Sequence, residues 1–84
     1  MSQKSLKGWV IEMMNNAEML EAEGTYPILK FFKFDHLPEN IQGISQPFFV
    51  LAYKTAIHSP HNAETSACLR KILEAKDCAV RAVL

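Results

Sequence analysis

The sequence predicts an all-α domain: an antiparallel helical hairpin with an additional N-terminal helix and an extended aromatic arm. Two long segments repeat their apolar residues at helical spacing, a four-residue polar connector joins them, and the one extended stretch has no sequence-adjacent strand to pair with. At 84 residues the chain is a single domain over 1–84, and its 49% hydrophobic content supplies a core that disordered chains lack. A chain of this size buries only roughly 60 to 65% of the surface its unfolded form exposes, so a solitary subunit is marginal and an oligomer is expected.

Residues 1–24 read as the N-terminal helix. Leu6, Trp9, Val10, Met13, Ala17 and Leu20 fall on one helical face, and Gly24 is the expected stop. The charges oppose the helix dipole, with Lys4 and Lys7 at the amino end and Glu18, Glu21 and Glu23 at the carboxyl end, so this helix needs a packing partner. Glu12 interrupts the apolar run, which excludes a secretory h-region or a membrane span here and predicts a cytosolic protein.

Residues 25–37 form the arm. Lys30, Phe31, Phe32, Lys33 and Phe34 interleave two ammonium groups with three rings, a combination suited to stacking a base and neutralising a phosphate. Aromatics beside a helix also serve as core, and Phe31 is assigned there.

The hairpin occupies 38–84. Pro38 suits the first position of the second helix, with Glu39 in its first turn and an end near His58. Ile41, Ile44, Phe48, Leu51 and Ala52 make its expected apolar face. Pro47 inside this helix meets the carbonyl of Gly43, which predicts a kink, with a break at Gln46 as the alternative. Asn62 caps a third helix from Ala63 to the last residues. Leu69, Ile72, Leu73, Val80 and Val83 form its core stripe, beside a small-residue stripe of Cys68, Ala75, Ala79 and Ala82 that permits close helix approach.

Nine Lys and Arg balance nine Asp and Glu, which removes the broad basic field that duplex DNA or anionic lipid requires. Cys68 and Cys78 stand ten residues apart on one helix, roughly 15 Å, so they cannot bridge each other, and they read as small buried thiols in a reducing compartment. His36, His58 and His61 have no carboxylate or thiol at ligand spacing, so no metal or other cofactor is expected. No nucleophile elbow, phosphate-cradling glycine loop or paired-carboxylate site occurs, and the chain is read as a non-enzyme. Arg70, Glu74, Asp77 and Arg81 lie along one line of the third helix. They read either as a solvated face with Arg70–Glu74 and Asp77–Arg81 pairs, worth a few tenths of a kcal/mol each, or as arginines held for a phosphate.

The stretch from Pro60 to Ala75 resembles the pattern P-x-x-x-E-x-S-x-A-L-x-K-L-x-E-A of the phage anti-CBASS and anti-Thoeris cyclic nucleotide sponges, a family of small helical hairpin domains. Pro60, Glu64, Ser66, Leu69, Lys71, Glu74 and Ala75 match it, Ile72 replaces a leucine, and Ala79 and Ala82 fall on later small positions. The resemblance covers residues 37 to 84. It departs where Asp77 and Cys78 replace a Met-Trp pair and Arg70 replaces a threonine, which points to an altered pocket or ligand. The resemblance implies a homo-oligomer, commonly a hexamer, that binds a cyclic oligonucleotide or cyclic ADP-ribose-type signal between subunits, in the cytoplasm of the infected bacterial host, without cleaving it.

By residue type and position, Arg70, Lys71 and Arg81 are the phosphate candidates, and Lys33 and Phe34, with Phe32, are the stacking or clamping candidates. The alternative is a small structural or partner-binding helical oligomer of phage origin. A DNA-binding regulator is disfavoured because the third helix alternates in sign.

Overall fold

The computed structural model describes residues 16–84, and within them the chain is all-α. Helix α1 (Asn16–Thr25) leads into a 3-10 helix (Pro27–Phe32), and α2 (Glu39–His58) and α3 (Ala63–Ala82) form the hairpin. The apolar positions expected between Leu6 and Met13 lie outside the described residues.

Helix α1 does not stop at Gly24. Thr25 is its last residue, with Oγ1 donating to the Glu21 carbonyl at 3.2 Å, and the Tyr26 N–H reaches the Ala22 carbonyl at 2.7 Å. Pro27 supplies the stop, because its ring pushes the preceding residue out of the helical region, and Tyr26 sits at φ −127°, ψ 84°. The face turned inward carries Met19 and Ala22, whereas Leu20 is 68% exposed.

The arm is not extended. Pro27 has the fixed φ a helical first turn needs, and the segment closes with the Leu29 N–H on the Tyr26 carbonyl at 3.0 Å. With three residues per turn, Leu29 and Phe32 fall on the same side and are both fully buried, while Phe31 projects outward. Phe34 follows into the core at 3% exposure, its ring edge-on to Phe49 at 5.2 Å.

Helix α2 is unbroken from Glu39 to His58, with Pro38 as its N-cap rather than its first residue. Gly43 and Pro47 both lie on the exposed face, so the carbonyl that Pro47 leaves without a donor is turned toward water. The buried stripe is rotated from the expected one: Ile41, Ser45, Phe49, Ala52, Tyr53 and Ala56 face inward, Ile44 and Phe48 are half-buried, and Leu51 is exposed. Phe49 and Tyr53 lie in the one core where α1, the 3-10 helix and α3 all pack on α2.

Asn62 caps α3 as its residue type predicts, accepting from the Thr65 N–H at 3.0 Å, and Thr65 Oγ1 donates to the Pro60 carbonyl at 2.6 Å. Leu69 and Ile72 enter the core, Leu73 packs against it, Val80 is half-buried away from it, and Val83 is exposed. Of the small-residue stripe, only Ala79 is half-buried among the described residues. Cys68, Ala75 and Ala82 are exposed, and both cysteines are free surface thiols rather than buried ones.

Candidate functional site

The candidate residues divide between two places. Lys33 belongs to a tie between the end of α1, the segment after the 3-10 helix and the middle of α2. Its Nζ lies 3.1 Å from Glu23 Oε2, and the same oxygen accepts from the Tyr53 hydroxyl at 2.7 Å. Tyr53 is fully buried and also approaches the Leu29 carbonyl at 3.4 Å. Burial, reinforced by the hydrogen bond to the Glu23 carboxylate and by its charge, pushes the Tyr53 hydroxyl well above the ordinary tyrosine range. Burial alone pushes the Glu23 carboxyl up, but the Tyr53 and Lys33 hydrogen bonds and the charges of Lys33 and Lys30 together hold it below the usual carboxylate range. This is an anchored structural contact, and Lys33 is therefore not a free clamp.

Burial also removes Phe34 and Phe32 from the stacking role, since neither offers a ring face to solvent. Their exchange with Phe31 is the main correction to the arm. Phe31, assigned to the core by sequence, is 67% exposed, and it stands on the 3-10 helix that packs beside α3. The run of apolar residues around Lys30 hid this, because only the three-residue period of a 3-10 turn separates Phe31 from Phe32.

The phosphate candidates lie on α3. Arg70, Lys71 and Arg81 are all exposed. The expected Arg70–Glu74 and Asp77–Arg81 pairs do not form: Asp77 meets Lys76 at 3.1 Å, and Arg81 Nη2 donates to Cys78 Sγ at 3.3 Å. Among the described residues Arg70 and Lys71 have no carboxylate partner. Eleven residues of helix separate Arg70 from Arg81, roughly 16 Å, which suits two separate contacts better than one clamp on a single phosphate.

Two concavities accompany these groups. A groove of about 400 Å³ opens between α2 and α3, walled by Phe48, Leu51, Ala67, Cys68, Ile72 and Ala75 with Glu64 and Lys71 at its edge. A smaller one of about 130 Å³ lies between α1 and the end of α2, lined by Glu18, Glu21, Thr25 and His61 among others. His61 also meets the Tyr26 ring edge-on at 5.5 Å. The Tyr26 and Ser45 hydroxyls are buried without a hydrogen-bond partner among the described residues. His36, His58 and His61 are exposed, and among the described residues no group of three metal-ligating side chains converges.

Sequence reasoning missed the Glu23–Tyr53 contact, which joins residues 30 apart and left no local signal. It also missed the groove, whose α2 wall of Phe48 and Leu51 was assigned to the core. Fold and surface together define a small all-α domain built on a helical hairpin. No protein-family model matches the chain, and no curated protein or solved structure shows significant similarity to it. Among the described residues no helix is long and apolar enough to cross a membrane.

Proposed function

We propose that this protein binds a cyclic nucleotide signal, a cyclic oligonucleotide or a cyclic ADP-ribose-type molecule, and sequesters it unchanged as a phage anti-defence protein acting in the host cytoplasm. The observation that carries the reading is the outer surface of α3, where Arg70 is exposed with no acidic partner among the described residues. A guanidinium with no carboxylate beside it keeps its planar fork available for a phosphate. The exposed Phe31 ring, carried by a segment packed beside this helix, supplies an aromatic face for a base. The sponge-like pattern from Pro60 to Ala75 runs through the same helix.

Sequestration needs affinity and no catalytic group. Its pockets form between subunits of a homo-oligomer, a hexamer by resemblance, a reading that the open grooves of the single subunit support. The second reading, a structural or partner-binding helical oligomer, is favoured by the apolar groove between α2 and α3, which is suited to protein contact.

One experiment separates these readings. Excess protein is incubated with cyclic dinucleotides, cyclic trinucleotides and cyclic ADP-ribose isomers, the free nucleotide is measured, and the protein is then denatured and the released material chromatographed. Depletion followed by release of intact nucleotide is the expected result. A linear product overturns sequestration, and an undepleted panel favours the structural reading.

A further inference from the structure

We infer that the groove between α2 and α3 seats a second copy of this chain across a two-fold axis, with the two α3 helices antiparallel and crossing between Ala67 and Cys68. Glu64, Ala67, Cys68 and Lys71 follow one another at i, i+3, i+4 and i+7, so they share one side of α3, and Phe48 and Leu51 of α2 wall the same groove. Small side chains at the centre let helix axes approach closely. Leu51, 51% exposed in the subunit, gains cover from such a contact.

Charge fixes the occupant. Glu64 and Lys71 are opposite in sign and equidistant from the midpoint between Ala67 and Cys68, and neither has an ion-pair partner among the described residues. A two-fold axis through that midpoint sets Glu64 against the partner's Lys71 and Lys71 against the partner's Glu64. Self-complementarity of this kind is what an isologous contact requires. A parallel arrangement in register sets like against like, and an unrelated apolar helix has no use for the antisymmetric charges. The inference rests on the assembly part of the reading above and names its surface. It needs no nucleotide, so a failure of this contact and a failure of nucleotide binding are observed separately.

Sedimentation equilibrium of the full chain tests the pairing. Glu64→Lys places two like-charged pairs in each contact and should weaken association about tenfold, whereas Glu64→Lys combined with Lys71→Glu restores it. Both variants carry the same lysine in the first turn of α3, so a cost to that helix is common to them, and circular dichroism checks that each is folded. Equal association of the single and double variants overturns the proposal.

A second measurement uses the native residues and holds even where Glu64→Lys fails to fold. In this register the two Cys68 residues are displaced by only roughly 1.5 Å along the helix axes, and the two Cys78 residues by roughly 30 Å. A short bismaleimide should therefore link wild-type and Cys78→Ser subunits into dimers and leave Cys68→Ser subunits unlinked. Dimers formed through Cys78, or none in the wild type, overturn the register.

Discussion

Glu23 and Arg70 are both charged residues on helices of one small domain, yet their surroundings are opposite. The Glu23 side chain is 12% exposed, its carboxylate held by a tyrosine hydroxyl and an ammonium, while Arg70 stands in solvent on α3 with no carboxylate beside it among the described residues. In the corner of α1, the 3-10 helix and α2, the Glu23, Lys33 and Tyr53 side chains are spent on one another and hold the elements together. The outer side of α3 leaves cations, two thiols and an apolar groove open, and it is the face we propose for a ligand and a second subunit. Had sequence position alone decided, Lys33 and Arg70 would belong to one site; the structure separates them by giving Lys33 a partner.

The strongest way to break the comparison is to empty the packed corner. Phe32→Ala removes a side chain at 1% exposure and should cost about 3 to 5 kcal/mol, read from urea unfolding. In a domain this small that leaves little native population. A loss comparable to a surface substitution would mean that the 3-10 helix is not part of the core.

Tyr53→Phe tests the polar tie without a large cavity. It deletes a hydrogen bond to a charged acceptor and should destabilise by about 1.5 to 3 kcal/mol. The pH dependence carries its own sign. The Glu23 carboxyl is held below its unfolded value, so its stabilisation is present above the ordinary carboxylate range and is lost as pH falls through the folded value. The Tyr53 hydroxyl is raised above its unfolded value near 10, so its stabilisation is present below that value and is lost as pH rises beyond it. Unfolding free energies across both ranges should flatten in Tyr53→Phe: the alkaline dependence on Tyr53 vanishes and the acid dependence on Glu23 shrinks. A Tyr53→Phe protein with the wild-type alkaline profile would show that the hydroxyl is not held in this way.

A smaller effect is expected at the start of α3. Asn62→Ala removes the oxygen that accepts the Thr65 N–H and should cost about 1 kcal/mol in thermal or urea unfolding. Changes on the outer face should cost least: Arg70→Gln should alter stability by within about 0.5 kcal/mol, because no ion pair or hydrogen bond among the described residues is lost.

These expectations mirror what was legible in the sequence. The hairpin was written locally: Pro38 and Glu39 open α2, the Ser59–Asn62 connector closes it, and Asn62 caps α3, each by the chemistry of one or two residues. The faces were not. Helix α2 is apolar over a wide arc, including Ile44, Phe48, Phe49, Leu51, Ala52 and Tyr53, and only its neighbours decide which part of that arc is covered. The arm read as extended because a contiguous apolar run has no period of its own, and Pro27 with the burial of Leu29 and Phe32 imposed the 3-10 turn. In the candidate site, Arg70, Lys71 and Arg81 were legible as charges on one helix, and all three are exposed. Phe34 and Lys33 were not, since a distant phenylalanine on α2 and a glutamate on α1 claim them.

The account's central claim, that the outer face of α3 is the ligand-binding face, is tested most directly by thermal unfolding of the wild type and of the Arg70→Gln/Arg81→Gln double variant with and without each cyclic nucleotide. Binding to the native state at a hundredfold excess over Kd stabilises by about 2.7 kcal/mol. The account predicts that one nucleotide raises the wild-type Tm by several degrees, and that the variant unfolds at the wild-type temperature alone yet shows a much smaller rise with that nucleotide. An undiminished rise in the double variant would contradict it and move the binding site away from α3.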